Sequence, residues 1–171
     1  MAITIRRLGP DDVEQFRACR RDMLRDNPTA FYTAYEEEEP WSLEIFRKKF
    51  LDSGDLAVIA AFGAFDGEHL IGTTRIYQED RIKRRHKMNV VGVFVKPEYR
   101  GQRISSRLIE VAIAYARTVE GIERIELSVE SRNAVAKALY ASFGFETWGT
   151  EPALVKYEGA YYDADYMTLK L

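Results

Sequence analysis

The spacing of apolar residues switches along the chain between an alternating and a helical period. Residues 2–7 alternate, which predicts a short strand. The segment 9–12 then favours a helix start, because it carries an early proline and acids in the first turn. Apolar residues recur from there at steps of three and four to about Arg25, which predicts a first helix, and Asn27-Pro28 ends it. A second helix begins at Ser42, and its apolar residues are Leu43, Phe46, Phe50 and Leu51.

Strand-like runs fill the middle of the chain. Residues 56–65 and 70–77 flank Asp66-Gly67, which predicts a hairpin. Residues 90–95 are almost wholly apolar, as in a strand that is buried on both faces. A long amphipathic helix follows and ends at Gly121. Its apolar stripe consists of Ile104, Leu108, Val111, Ala112, Tyr115 and Val119.

The last third predicts a strand, a short helix and a hairpin. Apolar and polar residues alternate over 125–130, as in a strand. Asn133 is a suitable N-cap for a helix over 134–143, and Gly144 suits its C-terminal end. Residues 145–171 predict two strands joined by a turn. We expect the short helix to pack on the sheet through Val135, Ala138, Leu139 and Ser142.

The predicted elements run in the order β-α-α-β-β-β-α-β-α-β-β, which indicates an α/β protein with a mixed sheet and helices on both faces. The hairpins make their strands antiparallel. The strand–helix–strand unit around residues 90–129 requires a parallel pair with a right-handed crossover. The length of 171 residues fits one domain over 1–171.

Composition narrows the class of protein. Hydrophobic residues make up 46% and charged residues 30% of the chain, as in folded globular proteins. The net charge of -2 disfavours nucleic-acid binding, which normally needs a basic surplus. The longest apolar stretch is too short to cross a bilayer, and no secretory signal is expected. One cysteine and two histidines offer neither a disulfide nor metal-ligand spacing, so we expect a cytoplasmic protein that binds no metal and no membrane.

A turn rich in arginine and glycine links the strand at 90–95 to the long helix. Backbone N–H groups at such a turn, together with the positive end of the helix dipole, form an anion site suited to a pyrophosphate. Gly101 allows the chain to approach a ligand closely, and Arg100 and Arg103 add charge and donors. The alternative interpretation is an ordinary strand-to-helix turn with solvated arginines.

The short helix after Asn133 carries a second candidate site. Asn133, Lys137 and Tyr140 are spaced so that they share one helix face. A tyrosine on the polar flank of a helix, next to a strand end, can protonate a leaving group. Taken alone, Tyr140 is better interpreted as a packing residue whose hydroxyl finds a backbone partner.

These two segments resemble the GCN5-related N-acetyltransferase (GNAT) family. The segment VFVKPEYRGQRISSRL is similar to the family's acetyl-CoA pyrophosphate loop, and SVESRNAVAKALYASFGF is similar to its second signature block. The tail YYDADYMTLKL and the order of the elements agree as well, so the resemblance covers the whole chain. It implies a mixed, mostly antiparallel central sheet with helices on both faces and a splayed pair of parallel strands.

The resemblance also implies a reaction and the residues that carry it. Acetyl-CoA would be the co-substrate, and its acetyl group would pass by direct attack to a primary amine of a small molecule, a protein N-terminus or a lysine. Tyr140 would protonate the CoA thiolate, Asn133 would hold the pantetheine or diphosphate side, and Gly92 would form a bulge at the splay. A homodimer is common among such proteins. The pantetheine would pair with the backbone of Val93, Phe94 and Val95, and the pyrophosphate loop would comprise Arg100, Gly101, Gln102, Arg103, Ile104, Ser105 and Ser106.

Two positions depart from the family's pattern. The loop usually reads Arg/Gln-x-x-Gly-x-Gly/Ala, and here the last two positions are Arg103 and Ser105. The side chain of Arg103 must therefore point away from the phosphates or reach round to them. Some relatives have a glutamate that acts as the general base at the position where this chain has Ser128. The remaining candidates for the general base are Glu130, Glu126 and a water chain.

Other interpretations stay open at this point. A catalytically degenerate acyl-CoA binding or sensing domain is the alternative if Arg103 spoils the loop. The basic cluster at 81–87 predicts a solvated hairpin tip, with contact to the CoA ribose phosphate or to an acidic partner as alternatives. The net charge disfavours a nucleic-acid accessory role for that cluster. The acidic run at 36–39 predicts a solvated loop, with attraction of a cationic amine as the alternative.

Overall fold

Seven strands and five α-helices make up the part of the chain that the computed structural model describes, residues 2–52 and 59–171. Residues 56–58 of the first predicted central strand lie outside the described residues. Within these ranges, no helix combines the length and apolar character needed to span a membrane. The elements are β1 (Ile3–Arg7), α1 (Val13–Asp26), α2 (Tyr35–Glu38), α3 (Leu43–Phe46), β2 (Ile59–Asp66), β3 (His69–Gln78), β4 (Lys87–Val95), α4 (Ile104–Thr118), β5 (Arg124–Glu130), α5 (Ala134–Ser142), β6 (Glu146–Tyr157) and β7 (Ala160–Lys170).

The strands form one sheet in the order β1-β2-β3-β4-β5-β7-β6. Strands β4 and β5 are parallel, because α4 carries the chain back along the sheet between them. The other neighbouring strands are antiparallel, which confirms the predicted mixed, mostly antiparallel sheet. The parallel pairing is short: residues 87–89 pair with residues 124–126, and from there to their carboxyl ends the two described strands do not pair.

Two apolar cores cover the two faces of the sheet. Helix α1 packs on β3 and β4 on one face, and α4 packs on β2, β3 and β4 on the other. Successive residues of β2 serve the two cores in turn, since Ala61 joins the core under α1 and Phe62 joins the core under α4. The prediction of helices on both faces is therefore confirmed.

The core under α1 is built largely from aromatic rings. Phe16 packs edge-on against Phe50, with their ring centroids 5.7 Å apart, and Phe46 is fully buried beside them. Cys19 lies in the same core and is 1% exposed. Burial raises the pKa of its thiol to about 12.

The second predicted helix reaches Leu51 as expected, but only its first part is α-helical. It begins at Ser42, whose hydroxyl accepts the N–H of Ile45 at 3.3 Å and so caps the first turn. The α-helical hydrogen bonding ends at Phe46, and one π-helical turn over Arg47–Leu51 follows. This wider turn places Phe50 in the aromatic core.

The acidic run at 36–39 is not the solvated loop that was predicted. It contributes most of α2, and Glu38 is 1% exposed. Its carboxylate accepts two hydrogen bonds from Arg20 of α1, with Nε–Oε2 at 2.6 Å and Nη2–Oε1 at 2.5 Å. A long-range ion pair therefore buries part of a run whose local composition predicts full exposure.

Candidate active site

A cleft of about 780 Å³ opens where β4 and β5 part. Its walls are residues 90–95 of β4 and residues 128–130 of β5. The turn before α4, the first residues of that helix and the chain between α1 and α2 complete the lining. Helix α5 lines the side beside β5. The cleft thus runs along an unpaired edge of β4, which is able to pair with an extended ligand.

A bulge at Gly92 bends β4 at the cleft. Thr73 of β3 pairs with Phe94, whereas Arg75 pairs with Val91, so β4 holds one more residue than β3 over this stretch. Gly92 adopts a φ of +63°, in the left-handed region that favours glycine. The hydroxyl of buried Thr73 donates to the carbonyl of Gly92 at 3.4 Å. The predicted bulge is present, and it lies where the strands separate.

The turn before α4 presents backbone N–H groups and two arginines to the cleft. Gly101 has a φ of +79°, and the N–H groups of the first helical turn, from Ile104 on, have no carbonyl partner within the helix. Arg103 is the N-cap and has a φ of +57°, although it is not glycine. The Nε of Arg100 donates to the carbonyl of Val95 at 3.1 Å, which ties the turn to the end of β4. This arrangement suits an anion.

Helix α5 brings Asn133 and Tyr140 to the cleft. The Oδ1 of Asn133 accepts the N–H of Ala136 at 3.0 Å, which confirms the predicted N-cap and leaves the amide nitrogen as the donor that can face a ligand. Tyr140 is 7% exposed and packs edge-on against Phe145, with ring centroids 6.0 Å apart. Burial raises the pKa of its hydroxyl to about 12.

The predicted orientation of α5 is wrong for three of its four residues, because only Leu139 of the four packs against the core. Val135, expected to pack on the sheet, is 84% exposed, and Ala138 and Ser142 are exposed as well. The face with Tyr140 is the one that enters the core. Its aromatic ring offers more apolar area to bury than the small residues opposite, and this decides the orientation.

Lys137 lies on the same face of α5 but serves a polar network. Its Nζ donates to Asp165 of β7, which is 5% exposed. Asp165 also accepts hydrogen bonds from Ser131 at 2.7 Å and from Thr150 at 2.8 Å. These donors lower the pKa of Asp165 to about 2. The network joins α5 to β6 and β7.

The structure separates the candidates for a general base. Glu126 lies on β5 outside the cleft and forms an ion pair with Lys87, with Nζ–Oε1 at 2.6 Å. Glu130 lines the cleft and accepts a hydrogen bond from Thr29 at 2.7 Å. Ser128, where some relatives place a glutamate, lines the cleft and bonds the hydroxyl of Tyr32. Glu130 is therefore the carboxylate of the two that can reach a ligand in the cleft.

Most residues of the predicted site meet at this cleft. Gln102 and Ser106 do not line it. The basic cluster at 81–87 also lies outside the lining, and two of its members form ion pairs, Arg84 with Glu79 and Lys87 with Glu126. The predicted residues that do line the cleft are Val93, Phe94, Val95, Arg100, Gly101, Arg103, Ile104, Ser105, Asn133 and Tyr140.

Two charged residues of the lining were missed by the sequence analysis. Arg20 lies on α1, and Arg75 lies in the middle of β3. Each arginine interrupts an apolar pattern, because Arg20 falls between buried positions of α1 and Arg75 stands next to fully buried Ile76. A charged residue at such a position is a signal that could have found them.

Comparison with known proteins gives consistent matches. The chain matches the acetyltransferase (GNAT) family over residues 16–145. It is 26% identical over 165 residues to the L-amino acid N-acetyltransferase AaaT of Escherichia coli, covering 96% of either chain. It is 29% identical over 153 residues to the mycothiol acetyltransferase of Salinispora tropica, covering 85% of this chain but 45% of that protein. The chain thus spans about half the length of the mycothiol acetyltransferases that it matches.

The fold is also found among solved structures. The crystal structure of an acetyltransferase of the GNAT family from Streptococcus pneumoniae superposes with a TM-score of 0.82 at 25% sequence identity. The superposition covers 99% of this chain and 100% of the other. The similarity therefore extends beyond residues 16–145 to both ends of the chain.

Proposed function

The chain belongs to the GNAT acetyltransferase family, and we propose that it transfers an acetyl group from acetyl-CoA to a primary amine. One observation carries this proposal. The cleft between β4 and β5 connects an anion-binding turn at the start of α4 with a buried tyrosine hydroxyl on α5 and a carboxylate on β5. A phosphate-bearing thioester and a nucleophile that must lose a proton need these groups in one cleft.

Acetyl-CoA fits the groups that line the cleft. Its pyrophosphate would contact the N–H groups of the turn from Gly101 to Ser105, with Arg103 adding charge. Its pantetheine arm would pair with the free edge of β4 over residues 93–95, and the amide nitrogen of Asn133 would donate to it. Gln102 and Ser106 lie outside the lining, so we assign them no direct contact.

The proposed reaction is a direct attack. The amine nitrogen bonds the thioester carbonyl carbon while N–H groups of β4 polarise the carbonyl oxygen, and the carbon–sulfur bond then breaks. Tyr140 gives its proton to the departing sulfur and regains one from solvent. Glu130 accepts the amine proton, directly or through one water, and releases it to solvent. The products are the acetylated amine and CoA with a free thiol.

The acceptor is proposed to be the amine of a small molecule. The relatives compared above are called an L-amino acid N-acetyltransferase and a mycothiol acetyltransferase, and both names point to small molecules. Tyr32, which is 58% exposed, and Thr33 line the cleft from the chain between α1 and α2. A protein N-terminus or lysine is the alternative acceptor, and peptides with a free N-terminus are therefore included in the panel of amines.

Release of CoA from acetyl-CoA in the presence of amines tests the proposal. We expect turnover with at least one member of a panel of amino acids, polyamines, aminoglycosides and N-terminal peptides, with mass spectrometry detecting the acetylated product. Calorimetry should show binding of acetyl-CoA. Binding without turnover on any amine would instead favour the acyl-CoA sensing domain. Absence of binding at millimolar acetyl-CoA would contradict both functions.

A further inference from the structure

Arg75 is a cation in the cleft wall whose hydrogen-bonding capacity is largely unused. Its Nε is buried and has no hydrogen-bond partner among the described residues. Its Nη2 reaches the carbonyl of Lys49 at 3.5 Å, a long contact. Its guanidinium carbon lies 4.5 Å from the centroid of the Phe50 ring, which fixes the group without satisfying its donors. A guanidinium carries five N–H donors, so most of them remain for another partner.

Arg20 lies in the same wall of the cleft, but its guanidinium donors have hydrogen-bond partners. It also stacks on Phe50, 4.4 Å from the ring centroid, but both Nε and Nη2 donate to the buried carboxylate of Glu38. This pair is neutral as a unit. Among the described residues no carboxylate forms an ion pair with Arg75, so its positive charge is left without a bonded counterion.

The register of Arg75 in the sheet shows which part of the cleft this residue lines. Arg75 pairs with Val91, immediately before the bulge at Gly92. Residues 92–95 of β4 separate this register position from the phosphate turn, so Arg75 lies at the other end of the stretch of β4 that lines the cleft. Tyr32 and Arg20 line the cleft with it. An anion bound there would lie beside the amine that attacks the thioester rather than beside the pyrophosphate.

We propose that Arg75 binds a carboxylate of the acceptor, and that the acceptor is an amino acid with a free carboxyl group close to its amine. This inference rests on the proposed acetyl transfer. A planar guanidinium matches a carboxylate through two parallel N–H bonds, and the match is strongest where water is excluded. Burial, with Arg20 nearby, already lowers the pKa of Arg75 to about 10, which is the electrostatic condition that a bound anion relieves.

Paired acceptors test the carboxylate directly. The wild-type protein is assayed with the twenty L-amino acids and with the carboxamide of each, and kcat/KM is expressed per unprotonated amine. We expect the best amino acid to exceed its own amide by about 10- to 100-fold, as for a hydrogen bond to a charged group. Equal rates on acid and amide, or turnover confined to amines without a carboxyl group, would overturn the inference while leaving acetyl transfer intact.

Substitution of Arg75 provides the second arm. R75Q should lower kcat/KM for the amino acid about 10- to 100-fold, chiefly through KM, and leave kcat/KM for the amide unchanged. R75K should recover part of the loss. R81Q is the matched control, because Arg81 is exposed outside the cleft and its removal changes the net charge equally.

Binding of acetyl-CoA separates this inference from the proposed function. Calorimetry with acetyl-CoA should give the same Kd for R75Q and wild type, because Arg75 lies away from the phosphate turn. If R75Q does not fold, the wild-type comparison of acids with amides and the R75K variant decide the question. An equal loss of R75Q on acid and amide would assign Arg75 a structural role and overturn the inference.

Discussion

Arg103 holds a left-handed backbone conformation that glycine adopts without strain. Its φ of +57° costs a residue with a Cβ about 1 kcal/mol. We expect Arg103→Gly to raise the free energy of unfolding by about that amount, measured by urea denaturation, and to weaken acetyl-CoA binding about 10-fold, measured by calorimetry. Arg103→Lys, which keeps the charge and the strain, should change both quantities less. Tighter binding by Arg103→Gly would show that the side chain obstructs the phosphates.

Tyr140 keeps its proton over the whole practical pH range, because burial raises its pKa to about 12. Tyr140→Phe preserves the ring that packs on Phe145 and removes only the donor. We expect kcat to fall about 100-fold with the Kd of acetyl-CoA unchanged. Tyr115→Phe, on α4 outside the cleft, is the control and should keep full activity.

The pH dependence of the rate gives Tyr140 a second test. A group that must be protonated and has a pKa near 12 produces no fall in rate below about pH 11. The acidic limb should belong to the amine, which attacks only when unprotonated. An alkaline fall between pH 8 and 10 that disappears in Tyr140→Phe would contradict the buried environment of this hydroxyl.

At the scale of single residues, the sequence is most informative where a residue type has one common structural role at its position. Asn133 before an apolar helix predicts an N-cap, and the hydrogen bond to Ala136 confirms it. Arg20 bonds Glu38 of α2 and Arg75 stacks on Phe50, and both contacts join separate elements, so no local motif marks either arginine. The sequence places Tyr140 at the cleft but does not give the orientation of its helix, because burial of one aromatic ring outweighs burial of several small apolar residues.

At the scale of elements, the bulge in β4 depends on one glycine. Gly92→Ala places a Cβ at a φ of +63°, where the nearest atom outside its neighbours is Arg20 Nη1 at 4.0 Å, so the penalty comes from the backbone rather than from crowding. We expect a loss of about 1 kcal/mol in the free energy of unfolding and weaker acetyl-CoA binding.

Gly149→Ala is the control for Gly92→Ala. Gly149 lies in β6, has no positive φ, and has open space where a Cβ would stand. Urea denaturation should therefore show a change within about 0.5 kcal/mol for this variant. If both alanines have the same effect, the left-handed conformation of Gly92 does not limit stability.

The periodicity of apolar residues predicts the order of the elements correctly, but it predicts where each element begins and ends less accurately. β4 begins at Lys87, before the apolar run at 90–95, because pairing with β3 and β5 extends through polar residues. Helix α2 was missed, since a run of glutamates gives no apolar period. The burial of Glu38 in this helix depends on its ion pair with Arg20 of α1.

For the molecule as a whole, the network around Asp165 links folding to pH. The pKa of Asp165 is lowered to about 2, from about 4 in an unfolded chain, so the network stabilises the fold above pH 4 and loses its contribution as pH falls towards 2. We expect Asp165→Asn to lose about 1–3 kcal/mol at pH 7, and the difference from wild type to shrink between pH 4 and pH 2.

Urea denaturation at a series of pH values measures this difference. Asp11→Asn, at an exposed position before α1, is the control and should follow the wild-type curve. A constant gap between Asp165→Asn and wild type down to pH 2 would show that the carboxylate charge is not what stabilises the network.

The burial of Cys19 has a practical consequence for enzymology. It is the single cysteine of the chain, it lies on the buried face of α1, and its thiol is both inaccessible and protonated at neutral pH. Disulfide dyes and maleimides react with accessible thiolates, so the folded protein should not react with them. A chromogenic disulfide reagent can then follow the reaction continuously, with every sulfhydryl it reports being newly liberated coenzyme.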